Sequence, residues 1–461
     1  MSKRIIIIGG GPGGYVAAIR AAQLGAEVHL IEKESFGGTC LNVGCIPTKA
    51  LIHIADQYNE LKKAAKHGLL ADNPRIDWKA VMKHKNDIIN QLVDGVTWLL
   101  KSNKVTVHKG QAVLKDSQTV IINGDNSYEL AGDAIILAVG SKAAKIKFPG
   151  SELEGVIDST QALELPLIPS SMTIIGGGVI GVEFAALYSA LGAKITIVEM
   201  LPEILPPVDA QITAIIKNEL KKSGVEIMVE SSLTSIEKRG SNLIAKIKTK
   251  DGDKKVESQY VLIAVGRKPN TDTCKPEAAN IQMNGSAIAV NDFFQTNIPN
   301  IYAIGDCNAK TMLAHAASAQ GIAAVEHIMG CNPSYNSNVI PYCVYCTPEI
   351  AGVGITEAQA AEKGIPVKIG QFSMAGNSKA LIEGNDTGLI KIIAHAESGK
   401  ILGAHMIGPR VTDIIAEIAV AMTLGATADD IVKTIHAHPT VSEAVAEAVH
   451  GVNGHAIHWP A

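Results

Sequence analysis

Aromatic residues make up only 4 % of these 461 positions, which argues against large aromatic binding platforms. Positive charge is not in excess: 41 Lys and Arg stand against 45 Asp and Glu, a net of −4. That balance offers no broad basic field, so nucleic acid is not an expected partner. No apolar run approaches the roughly twenty residues that span a bilayer, so membrane insertion is not expected. The opening MSKRIIIIGG carries four isoleucines before glycines intervene. That is too short for the apolar core of a secretory leader, and no transit-like leader is expected. Cysteines are few and odd in number: Cys40, Cys45, Cys274, Cys307, Cys331, Cys343 and Cys346. A secreted disulfide scaffold is thereby excluded. A reducing compartment is expected, which a cytoplasmic location fits and a processed organellar protein fits as well, and any disulfide that matters there is catalytic.

What is present is a globular composition, 47 % hydrophobic and 19 % charged, on a chain long enough for two to four domains. One unit occurs twice. Residues 5–32 read IIIIGGGPGGYVAAIRAAQLGAEVHLIE, and residues 172–199 read MTIIGGGVIGVEFAALYSALGAKITIVE. A single offset of 167 carries Gly9, Gly11 and Gly14 onto Gly176, Gly178 and Gly181, and Glu32 onto Glu199. Each copy predicts an apolar strand, a glycine turn, an Ala-rich helix, a Gly stop and a β-branched strand ending in an acid. This is the βαβ dinucleotide fingerprint. The first glycine allows the tight turn, the second lets backbone approach a pyrophosphate, and the third lets helix pack on strand. The free N–H groups of the helix start meet the anion, and the acid takes the ribose diol. Two dinucleotides, in two domains, are expected.

AIILAVGSK (134–142) and VLIAVGRKP (261–269) echo each other as buried strands leading to Gly140 and Gly266. NIYAIGD (300–306) is a third such strand, and its terminal Asp306 suits a ribose or polyol contact, although a capping role reads equally well there. At the second fingerprint, Glu199 is followed by no Arg or Lys through Pro206. A 2′-phosphate there would meet a carboxylate and no cation, so NAD is expected rather than NADP. The first fingerprint differs: Glu32 is followed closely by Gly37, Gly38 and Cys40. A cofactor reaching from the fingerprint toward Cys40 is implied, and FAD is long enough.

The segment GGTCLNVGCIPTKAL (37–51) separates Cys40 from Cys45 by four residues that include Gly44. A turn of this length can bring two Cα atoms within bridging range, and two structural thiols also fit the spacing. Pro47 suits a first helical turn, which places Cys45 at a helix N-terminus where a thiolate is favoured. Lys49 falls one turn later on the same face. Near the C-terminus, His-Ala-His-Pro-Thr-Val-Ser-Glu (436–443) pairs histidine with a carboxylate and predicts a candidate cis bond at His438–Pro439. Cys343 and Cys346, in PYCVYC, lack the second CxxC of a zinc site and read as core thiols.

GGTCLNVGCIP resembles the active-site signature of the class I pyridine nucleotide–disulfide oxidoreductases, and later motifs follow in the family order across nearly the whole chain. The resemblance implies that Cys40 is the interchange thiol facing substrate and Cys45 the thiol touching the flavin. It matches Lys49 to the family lysine near the flavin and Glu183, in GGGVIGVEFA, to its carboxylate partner. The first-repeat equivalent of Glu183 is Val16, so the fingerprint itself needs no acid there. Ala112, Asp306 and Ala314 match flavin-contacting positions. The stretch LAHAASAQG (313–321) departs from the usual charged version, which leaves main-chain contacts untouched. His438 matches the acid–base and Glu443 its orienting partner, in a box that reaches the flavin of the other subunit, so a homodimer is implied.

Among family activities, the missing cations after Glu199 disfavour NADP-linked glutathione-type reductases. The absence of a C-terminal cysteine pair disfavours mercuric-type enzymes, and the presence of the Cys40–Cys45 pair disfavours flavin transhydrogenases. What remains is reoxidation of dihydrolipoyl groups carried by proteins of a 2-oxo acid dehydrogenase or glycine cleavage complex. A purely assembly-type flavoprotein subunit would have lost redox residues, and none is lost. The expected fold is α/β, with two Rossmann-like dinucleotide-binding domains and a C-terminal α/β dimerisation domain built on an antiparallel sheet. The expected division is an FAD domain over 1–145, an NAD domain over 146–269, a central segment over 270–340 returning to the FAD unit, and a dimerisation domain over 341–461.

Overall fold

The computed structural model of the chain describes residues 2–458. The two fingerprints fold into the same unit, at the offset of 167 read from the sequence. Strand Arg4–Ile8, helix Pro12–Gln23 and strand Glu27–Glu32 recur as strand Ser171–Ile175, helix Val179–Ala190 and strand Lys194–Val198. In each, the first strand lies central, parallel to the second on one side. On its other side it meets the returning strand, Ala134–Leu137 or Tyr260–Ile263. Ile5, Ile6 and Ile7 are wholly buried. A parallel strand covered on both faces must be apolar at every position, which explains the unbroken isoleucine run. Each such side chain contributes about 1.5–3 kcal/mol of burial.

Strand Ile301–Ala303 joins the first sheet beside Ala134–Leu137, so the chain does return there after the second unit. Each unit also carries a three-stranded antiparallel meander, over 111–131 in the first and 232–258 in the second. The duplication thus extends beyond the fingerprints. In the second meander Leu243, Ala245 and Ile247 alternate inward along strand Asn242–Thr249, the period-2 pattern of a half-covered sheet. What differs between the units is a helical insertion in the first. Helices Gly38–Val43, Cys45–Lys63 and Trp78–Ser102 lie between its second and third strands. The cysteine pair and Lys49 all sit in that insertion.

The C-terminal part is an antiparallel five-stranded sheet ordered Tyr342–Val344, Glu349–Gly354, Ile401–Gly408, Leu389–His395, Val367–Ser373. Helices Val411–Thr423 and Glu443–Val452 pack on it through Val411, Ile415, Ile418, Val445 and Val449. This unit is tied to the second dinucleotide unit by a buried lysine. Lys391 Nζ lies 2.9 Å from Asp209 Oδ2 and 2.6 Å from Glu357 Oε2. Asp209 also caps helix Ala210–Lys222 by accepting from Gln211 N. No helix among the described residues is long and apolar enough to cross a membrane.

Candidate active site

One cavity of about 1080 Å³ runs between the two dinucleotide units and the start of the C-terminal sheet. Gly11 and Gly13 of the first fingerprint, Gly176 and Gly178 of the second, and Cys40, Cys45, Lys49 and Glu183 all line it. Gly140, Glu199, Gly266, Asp306 and Ala314 also line it. A smaller cavity of about 80 Å³ adjoins Gly9, Glu32 and Ala112. Of the predicted site residues, His438, Glu443, Gly14 and Gly181 line neither cavity.

The glycines divide by role. A Cβ on Gly14 would fall 1.8 Å from Gly9 O, and one on Gly181 would fall 2.0 Å from Gly176 O, so both are held to close helix–strand packing. Gly9 and Gly176 hold φ of +106° and +110° with the next strand's carbonyl at their backs, a turn open to glycine alone. Gly178 has open space where a Cβ would be, and Gly11 meets only Gly38 Cα at 4.0 Å. Both cap their helices without any side-chain hydrogen bond. Two helix starts therefore point uncapped N–H groups at two places where backbone, but no side chain, can meet a pyrophosphate. The residues fit two dinucleotides.

The strand-end acids do more than the fingerprint requires. Glu32 accepts from Gly10 N at 2.7 Å and Glu34 N at 2.7 Å. Glu199 accepts from Gly177 N at 2.6 Å and Leu201 N at 2.8 Å. Each carboxylate braces its own glycine turn and keeps lone pairs for a ribose. Beside Glu199 the cavity wall is Met200, Leu201 and Pro206, with no cation among them.

Cys45 is the first residue of its helix, as the sequence predicts. The Cys40 and Cys45 thiols share a hydrogen bond. That bond, with help from the Lys49 ammonium and against burial and Glu183, lowers Cys45 to about 7. The same bond, together with burial, pushes Cys40 far up. The pair is therefore asymmetric, with the helix-start sulfur holding the charge. Lys49 Nζ meets Glu183 Oε1 at 2.9 Å and Oε2 at 2.7 Å. The Glu183 side chain is 5 % exposed and that of Lys49 29 %.

At the C-terminal box, His438 Nδ1 lies 2.9 Å from Glu443 Oε1, and the His438–Pro439 bond is cis as expected. Burial raises Glu443, but the Thr440 N–H and the His438 ring outweigh it and leave the carboxyl below its usual range. The His438 side chain is 72 % exposed. His436 turns elsewhere, to Glu417 Oε1 at 2.7 Å.

Several residues here escaped the sequence reading. Ser141 Oγ donates to Asp306, and Arg267 Nε donates to Ser141 Oγ at 2.7 Å, a chain that ends on Asp306. Their positions beside Gly140 and Gly266 were a usable signal. Tyr345 lines the cavity and donates its N–H to Glu183. Cys346 is buried as expected; Cys343 packs against the C-terminal core but is only partly covered, because its strand also lines the cavity. Burial, with Glu349 and against Lys49, pushes Cys343 up to about 11. Among the described residues no cluster of His, Cys, Asp and Glu is arranged to hold a metal.

A family model described as pyridine nucleotide-disulphide oxidoreductase matches residues 3–321, and that family's dimerisation domain matches residues 340–449. The chain belongs to the pyridine nucleotide-disulphide oxidoreductases. Among curated relatives of this oxidoreductase, a dihydrolipoyl dehydrogenase of Geobacillus stearothermophilus is 42 % identical over 98 % of the chain and 97 % of its own length. A mitochondrial dihydrolipoyl dehydrogenase of Schizosaccharomyces pombe is 39 % identical over 96 % and 89 %. Among solved structures, LpdA of Mycobacterium tuberculosis matches with TM-score 0.91 and 26 % identity, covering 97 % of this chain and 99 % of that one. The HOCl-induced flavoprotein disulfide reductase RclA of Escherichia coli matches with TM-score 0.87 and 28 % identity over 97 % and 99 %.

Proposed function

We propose that this oxidoreductase reoxidises protein-bound dihydrolipoyl groups through a Cys40–Cys45 disulfide, with FAD and NAD as cofactors. The observation that carries this is the meeting of Cys40, Cys45, Lys49 and Glu183 in the one cavity both fingerprints open onto. Full-length relatedness to dihydrolipoyl dehydrogenases supports the substrate class.

The N–H groups after Gly11, with Glu32, Ala112, Asp306 and Ala314, hold FAD; those after Gly178, with Glu199, hold NAD. Bound FAD and NAD supply two-electron acceptance and hydride transfer, which no side chain provides. The protein's own part is thiol–disulfide exchange. His438, braced by Glu443, takes the proton of one dihydrolipoyl thiol. The resulting thiolate attacks Cys40, the Cys40–Cys45 bond breaks, and Cys45 leaves as thiolate. The second dihydrolipoyl thiol then displaces Cys40, its proton passing to the departing Cys40 sulfur, and the lipoyl disulfide closes. The Lys49 ammonium favours the charge left on Cys45.

Within one chain His438 is exposed and does not line the cavity that holds Cys40, and the chain matches a dimerisation-domain model. A homodimer in which each subunit's His438 serves the other's cavity accounts for both. Lipoyl-bearing proteins of a multienzyme complex are the partners this substrate requires, and a cytoplasmic location fits the few, odd-numbered cysteines. The test is turnover of NAD and dihydrolipoamide by Cys40→Ser: bound FAD is retained and turnover is abolished. Turnover at the wild-type rate overturns the assignment. His438→Gln should cut turnover by about 10²–10⁴-fold while leaving flavin reduction by NADH intact.

A further inference from the structure

The Lys49–Glu183 pair has a third member, supplied by the C-terminal unit. Tyr345 directly follows strand Tyr342–Val344. Its backbone N–H donates to Glu183 Oε1 at 3.0 Å, the oxygen that also takes Lys49 Nζ at 2.9 Å. The Lys49 ammonium lies 4.8 Å from the centre of the Tyr345 ring, inside the range of a cation–π contact. One residue thus holds both partners, the carboxylate through its main chain and the ammonium through its ring face. The phenolic hydroxyl makes no hydrogen bond to another described residue, so the ring and the N–H carry the contact.

This arrangement answers a physical problem. Glu183 is fixed by burial, but Lys49 is an ammonium on a flexible four-carbon stem with many accessible rotamers. Glu183 alone sets how far the ammonium sits from one carboxylate. The ring adds a second attraction from a different element and excludes water from that side. A charge used to tune a neighbouring redox group has to be held in place, because its effect falls with distance.

We propose that Tyr345 is a positioning residue whose ring and N–H together hold the Lys49–Glu183 pair against the flavin end of the cavity, and thereby tune the flavin's reduction potential. This rests on the reading of the cavity as the FAD site.

The experiment uses the FAD-loaded dimer with Tyr345→Phe and Tyr345→Leu. Flavin potential is read by spectroscopic redox titration against a reference dye, and kcat and KM from dihydrolipoamide turnover. Tyr345→Phe keeps the ring and should match wild type in every readout. Tyr345→Leu keeps the N–H but loses the π face. Its potential should move negative, because the cation favouring the anionic reduced flavin is loosened. Its kcat should fall about two- to thirtyfold, with KM for NAD unchanged. In a Lys49→Met background the leucine should shift the potential no further, since the ring then has no cation to hold. If Tyr345→Leu sheds FAD, Tyr345→Met fills the space without a π face and is read the same way. The proposal is overturned if the leucine or methionine variant keeps the wild-type potential, if phenylalanine behaves like leucine, or if the shift persists without Lys49. Wild-type protein that turns over no dihydrolipoamide overturns the substrate reading instead, and the potentials still decide on Tyr345.

Discussion

Replacing Lys49 by methionine should raise the pH at which the reduced cysteine pair loses its first proton. Cys45 is lowered to about 7 first by its hydrogen bond from Cys40, and then by the Lys49 ammonium, with burial opposing. Lys49 lies one helical turn beyond Cys45, which puts their Cβ atoms about 6 Å apart, and the attraction is sized at that spacing. At an effective dielectric of about 20, that attraction is about 2.8 kcal/mol, or about two pH units. The cavity is open to solvent, so about one unit is the working expectation. The thiolate fraction at neutral pH then falls from about half to about a tenth. Glu183 acts in the opposite sense on Cys45, so Glu183→Gln should move the same titration down. The assay is iodoacetamide alkylation of NADH-reduced holoenzyme across pH, with the modified peptides resolved by mass spectrometry. The midpoint belongs to the coupled pair, and its direction of movement is the readout. A Lys49→Met curve that stays put, or moves to lower pH, refutes the electrostatic reasoning.

Two glycines three residues apart should fail in different ways. Gly178→Ala points a methyl into open cavity, so the protein should fold and keep FAD while KM for NAD rises about tenfold or more; unchanged NAD kinetics would count against the pyrophosphate assignment. Gly181→Ala drives a methyl to 2.0 Å from Gly176 O and should destabilise by about 1–3 kcal/mol or more, read as lost soluble yield. Lys391→Met leaves the Asp209 carboxylate buried without its cation, at a cost of about 3–5 kcal/mol by chemical denaturation. Combining it with Asp209→Asn should recover much of that loss, and a purely additive double variant would show that the two residues are not coupled.

The parts legible in the sequence were those encoded by local spacing. Glycine spacing, helix period and strand-end acids all act within about thirty residues, so the repeat and both cofactor cradles could be read directly. The Cys45 helix start was legible for the same reason, through Pro47 and the residues after it. Glu183 was legible through family resemblance, with the repeat adding that the fingerprint needs no acid there, since nothing local distinguishes an acid at that helical position from a solvated one. Tyr345 was missed because its partners lie 162 and 296 positions away and its neighbouring cysteines drew the chemical reading. Lys391 sits in LIKIIAH, where a lone lysine on an apolar strand reads as facing solvent. Its partner caps a helix in another unit, and no periodicity reports such a contact.

Glu183 belongs to the second dinucleotide unit yet receives its bonds from the other two. That unit is therefore not an interchangeable cassette. A chimera that imports it from a distant homologue must bring an acid at this place and a backbone able to meet position 345, or the ammonium at position 49 loses its counter-charge. Change that spares the junction of three units is steered to exposed cavity positions such as Met200 and Leu201, since Glu199, Ile204 and Leu205 beside them are buried.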